Sequence, residues 1–212
     1  MDHRHNSSCG HENHDHDHDH DHDQPSEGPQ DNLYAYIDRK NVVALNTVQV
    51  GSDVIKPWHE RMEETRFIQS DADDQVIVRV PFAGSVRLRS IVIKAGPMDE
   101  TPSKVSLFAN NPSLDFDDIS DQTSSQELEI AQGREPFEYP IKPAKFSNVS
   151  SITLYFPSSQ GAESTKIYYI GFLGHHFERK SNPIITVYET QANLADHPKI
   201  QGTDGNFNTP ST

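Results

Sequence analysis

The stretch from Phe67 to Ile93, FIQSDADDQVIVRVPFAGSVRLRSIVI, limits this chain's fold more than any other part of it. Val76, Val78 and Val80 put β-branched residues at every second position, and Ile77 and Arg79 fall between them. That is the period of a strand, since a helix repeats every 3.6 residues. Pro81-Phe82-Ala83-Gly84 then predicts a corner, because proline donates no ladder hydrogen bond and glycine bends freely. In the second run, Val86, Leu88, Ser90 and Val92 are expected on one face, with Arg87 and Arg89 turned to water. Alternation ends at Ile91-Val92-Ile93, the mark of a strand covered on both faces in the middle of a sheet.

Further short strands follow at Lys104–Ala109, at ELEIA (127–131) and FEYPI (137–141), at Ser151–Phe156, at Lys166–Leu173 and at Ile184–Glu189. The acidic residues of ELEIA and FEYPI suit exposed sheet edges. Gly96 to Pro102 and Ser113 to Ser125 read as connections, and residues 33–50 have no clean period and are expected to wrap the sandwich edge. Lys56-Pro57-Trp58 opens a short helix over HERMEETR, because proline fixes the entry. Trp58, the lone tryptophan, is expected to plug the core, the other reading being a partner anchor. With little helix and no internal repeat, the fold class is all-β: a β-sandwich of jelly-roll or Greek-key connection. Residues 32–198 form the domain, and residues 1–31 and 199–212 are expected to be disordered polar tails.

Charge narrows the function. The chain carries −14 overall, and residues 1–31 hold nine acids against one arginine. Such a balance repels phosphate backbones and anionic lipid, which argues against nucleic-acid or membrane partners and for a basic protein surface. No apolar run reaches the roughly 20 residues of a membrane span, and MDHRHNSS lacks the apolar core of a signal peptide. Cys9 is the single cysteine, so an intrachain disulfide is excluded. Cytoplasm and nucleus are the expected compartments, where the sequon at Asn148-Val149-Ser150 has no role.

The N-terminal segment centres on DHDHDHDHD, Asp15 to Asp23. Imidazole suits Zn, Ni and Cu, so His3, His11, His14, His16, His18, His20 and His22 are the candidate metal ligands, adventitious or buffering. His3 could also complete a square-planar Cu or Ni site with a free α-amine. No resident cofactor is expected. The carboxylates of Ser70-Asp71-Ala72-Asp73-Asp74 and of LDFDD (Asp115, Asp117, Asp118) lack the ligand spacing of an EF-hand and read as solvated turns.

Catalysts would have to come from Asp71, Asp73, Asp74, His59, His175, His176 and His197, and none sits at motif spacing from a nucleophile. His175 and His176 follow Gly174, where the strand is expected to end, and neighbours on extended chain point to opposite faces. The expectation is a monomeric, non-catalytic binding module. A sugar-binding jelly roll is the alternative, with Phe137 and Tyr139 its modest aromatic candidates.

SDADDQVIVRVPFAGSVRLRSIVI, LFANNPSLDFDD, KFSNVSSITLYFPSSQGAESTKIYYIGFLG and YETQANLADHP together resemble the PITH domain, named for a proteasome-interacting thioredoxin. The resemblance covers about residues 33–198 and is closest to the stand-alone type. It implies a sandwich similar to galactose-binding jelly rolls and, from the thioredoxin-linked members, association with the proteasome regulatory particle. Those members carry a thioredoxin domain with two active-site thiols. Here Cys9-Gly10-His11-Glu12 offers one thiol, so disulfide exchange of that kind is absent.

Overall fold

A computed structural model describes residues 28–177 of the chain. Within them lie eight strands: β1 (Val43–Leu45), β2 (Ile68–Gln69), β3 (Val76–Ala95), β4 (Lys104–Ala109), β5 (Gln126–Glu129), β6 (Phe137–Pro140), β7 (Val149–Phe156) and β8 (Lys166–Phe177). All helical turns among the described residues are short 3-10 turns, and none is long and apolar enough to cross a membrane. The predicted strand Ile184–Glu189 and both tails lie outside the described residues.

Every strand pairing is antiparallel, and β3 organises them. Its first half runs between β1 and β7, with β4 and β5 continuing beyond β7. Its second half runs between β6 and β8, with β2 beyond β8. One strand therefore belongs to both layers of an all-β sandwich of jelly-roll type. The predicted corner at Pro81–Gly84 is instead an irregularity inside a single 20-residue strand, where the register with β7 shifts between Pro81 and Val86. Local bending by extra residues lets a strand change sheets without breaking.

A second irregularity changes the faces. The register with β8 slips between Leu88 and Ser90, so the core sequence runs Val86, Leu88, Ile91, Ile93. Ser90 and Val92 consequently leave the face they were expected to share with Val86 and Leu88. A bulge adds one residue to one strand, and in a period of two that reverses every side chain after it. Arg87 and Arg89 do face water, and the Ile91–Ile93 segment is buried on both faces.

The interior draws on both layers. Val76, Val78 and Val80 of β3, Val105 and Leu107 of β4, Ile152, Leu154 and Phe156 of β7, and Ile167, Ile170 and Phe172 of β8 share one apolar cluster. Outside the β3–β7–β4 layer, Ile77, Thr153 and Phe108 are also buried. The segment after β4 covers them: the Thr153 hydroxyl donates to Asn111 O (2.8 Å), Arg79 Nε donates to Leu114 O (3.0 Å), and Phe116 meets Tyr155 edge-on.

Residues 33–50 do wrap an edge, with β1 pairing to Ile77–Arg79. The predicted helix HERMEETR shrinks to one 3-10 turn, Trp58–Glu60. The backbone carbonyls of Met62, Glu63 and Arg66 are taken by lysine side chains, which replace a helical ladder. β8 continues through Gly174 to Phe177, so His175 and His176 are strand residues and not a strand end.

Candidate functional site

The reversal of faces at Arg89 creates an outward strip on the second layer. Ser90, Val92 and Lys94 of β3 lie opposite Leu173, Gly171 and Tyr169 of β8. Val92, Tyr169 and Leu173 form a small apolar cluster there, and the half-buried Trp58 packs on it. Burial pushes the Tyr169 phenol up to about 12. Trp58 thus covers the outside of the sheet and does not plug the main core.

Segment 57–66 crosses this strip, held from beneath by two buried lysines. Lys56 Nζ donates to Glu63 O (2.8 Å), Arg66 O (2.7 Å) and Glu63 Oε2 (2.6 Å). Lys94 Nζ donates to Met62 O (2.9 Å) and Glu64 Oε1 (2.6 Å), and lies 5.6 Å from the centre of the Tyr168 ring. Each ammonium is desolvated and so must find oxygen acceptors; the backbone of the segment supplies them. Burial pulls the Lys56 ammonium below its ordinary value, with Glu63 opposing. Partial burial alone would raise Glu63, but hydrogen bonds from Lys56, Thr65 and Arg66 N–H, with the Lys56 charge, hold it at about 2.

What the clamp presents is a mixed ridge. The Arg61 guanidinium lies 4.8 Å over the Trp58 ring and donates to Trp58 O (3.0 Å). Arg66 bridges Glu60 and Glu63. Met62 is 40% exposed, and the His59 side chain 50%. Aromatic, arginine and methionine side chains on a rigid support are the composition of a protein-binding patch.

The candidate catalytic residues are dispersed. His59 is on this ridge; His176 stacks on Tyr36 (4.0 Å between ring centres) at the far end of β8, with His175 exposed beside it. Asp73 Oδ1 accepts from Asn46 Nδ2 (2.7 Å) and Asp74 Oδ2 from Ser159 N–H (2.8 Å), so these carboxylates lock the turn before β3, and Asp71 is exposed. The Asp115 carboxylate caps the amides of Asp117 and Asp118. Among the described residues no group of three or more His, Cys, Asp or Glu is placed to hold a metal ion. His3, His11, His14, His16, His18, His20, His22, His197 and Cys9 lie outside them. Of the sugar candidates, Tyr139 is committed elsewhere and Phe137 remains exposed. Tyr139 packs on the main core and its hydroxyl accepts from Ala131 N–H (3.0 Å), while Phe137 lies against Gly133.

Sequence reasoning passed over Lys56 and Lys94. The available signal was Lys94 itself, a cation at the end of the apolar run IVIKA.

The profile of the PITH domain matches residues 23–192, and the chain belongs to the PITH domain family. PITH domain-containing protein 1 of Xenopus laevis is 38% identical over 188 residues, 84% of this chain and 88% of that protein. Its namesake in Homo sapiens is 37% identical over 171 residues, 78% of this chain and 80% of that protein. Among solved structures, a family 32 carbohydrate-binding module from C. perfringens in complex with galactose has 11% identity and a TM-score of 0.47, covering 62% of this chain and 90% of that one.

Proposed function

We propose that this member of the PITH domain family is a non-catalytic protein-interaction module that associates with the proteasome regulatory particle through segment 57–66. The observation that carries this reading is the lysine clamp. Two buried ammonium groups fix the backbone of a segment that presents Trp58, Arg61, Met62 and Arg66 at the surface. Preorganisation lowers the ordering cost of association, so a ridge held this way binds without first folding. The net charge of −14 favours a basic partner surface around it. Cytoplasm and nucleus, a monomeric chain and no cofactor belong to the same reading.

The test is capture from lysate with the full chain, followed by mass spectrometry of the retained proteins. Regulatory-particle subunits should be enriched over a control carrying residues 1–31 alone. A Met62→Asp variant should lose them while keeping its melting temperature. Equal recovery by this variant moves the interface elsewhere, and no enrichment by the wild type ends the proteasome assignment.

A further inference from the structure

We propose that the cavity beside Lys94 is a receptor for a glutamate or aspartate side chain on an extended segment of a protein partner. The cavity holds about 350 Å³ and is lined by Lys94, Glu64, Arg134, Tyr168, Ala95 and Pro97. Its charges do not balance. Lys94 and Arg134 are both cationic, Glu64 is the one anion in the lining, and the exposed Arg134 has no hydrogen bond or ion pair among the described residues.

Glu64 identifies the ligand. Its carboxylate lies 2.6 Å from Lys94 Nζ, but its side chain is 58% exposed while that of Lys94 is 2% exposed. A largely solvent-exposed carboxylate is therefore the cover of a buried ammonium. An incoming carboxylate that takes its place keeps the charge-assisted bond to Lys94 and adds a planar guanidinium, which Glu64 does not engage. Ala95, Pro97 and the Tyr168 ring offer apolar wall to the methylene stem. The chain's net charge of −14 makes this pocket a local exception, so recognition is short-range.

This inference deepens the docking role given to the same face, but its test needs no natural partner. The full chain, labelled with ¹⁵N, is titrated with a capped tetrapeptide containing two glutamates, and separately with its glutamine counterpart. Shifts should centre on the amides of Lys94, Arg134 and Tyr168 with the acidic peptide only. Arg134→Ala should weaken binding about fivefold or more, the loss of one charge-assisted contact. Glu64→Gln should tighten it about threefold, because the internal competitor loses its charge. Melting curves establish that both variants are folded. Equal binding of the glutamine peptide, or a Glu64→Gln variant that binds no better, overturns the assignment. Failure of the lysate capture alone leaves it standing.

Discussion

Lys56 Nζ and Glu63 Oε2 lie 2.6 Å apart, with the lysine side chain fully buried and the glutamate 26% exposed. The pair is asymmetric, because the lysine alone also binds two carbonyls, Glu63 O and Arg66 O. Removing the cation orphans three acceptors around a fully buried position, whereas Glu63→Gln keeps a side-chain oxygen that can still accept, and its bonds from Thr65 and Arg66 are exposed to water. Lys56→Met should therefore destabilise by about 3 kcal/mol and Glu63→Gln by about 1 kcal/mol, measured by urea denaturation. Equal losses would mean that the charge pair, not the carbonyl clamp, dominates.

Acid should loosen the same segment. Glu63 is held at about 2 in the folded protein against an ordinary 4.5, so it binds fewer protons folded than unfolded between those values. Its stabilising contribution is fully present above about pH 4.5 and is lost as pH falls toward 2. Melting temperature followed from pH 6 to pH 2.5 should drop more steeply for the wild type than for Glu63→Gln. Parallel curves would show that other carboxylates set the acid limb.

Much of this fold is legible in the sequence, and the exceptions share one cause. Alternation at Val76–Val80 and at Ser151–Phe156 reports strands directly, because a strand pairs with whatever lies beside it and its period survives. The extra residue near Arg89 left no mark in composition, yet it moved Ser90, Val92 and Lys94 to the outer face and so made the candidate site. Bulges are settled by pairing across strands, which local pattern does not contain. Trp58 shows the same limit: its size predicted burial, but only the outer strip formed by Val92, Tyr169 and Leu173 decides what it buries.

Gly174 lies on β8 directly against the β3 backbone at Arg87. A Cβ there would sit 2.0 Å from Arg87 O, with φ at +159°. The obstacle is backbone, so no side chain moves aside to relieve it. Gly174→Ala should cost about 2 to 3 kcal/mol, the scale of forced backbone strain, read by chemical denaturation. A loss below about 0.5 kcal/mol would mean that β8 ends early after all.

Arg79 ties the segment after β4 to the sheet through Leu114 O. Arg79→Met keeps the stem and removes the bonds. Global stability should fall by only about 1 kcal/mol, the value of such a contact. Hydrogen exchange at residues 113–121 should accelerate about tenfold while the amides of β7 keep their protection. Uniform acceleration across both would show that this cover opens only with global unfolding.

Trp58 and Met62 separate support from contact on the proposed docking ridge. Trp58 rests on Val92, Tyr169 and Leu173 and carries Arg61 on its ring, so Trp58→Ala removes both packing and the platform. It should cost about 2 kcal/mol, less than a fully buried tryptophan, because the ring is only half-buried. Met62 is 40% exposed and its backbone carbonyl, not its side chain, serves Lys94. Met62→Asp should leave stability within about 0.5 kcal/mol while reducing partner capture at least fivefold. The two variants, each tested by denaturation and by capture, should therefore differ in kind. If Met62→Asp melts like Trp58→Ala, the side chain is structural and the ridge is not the docking surface.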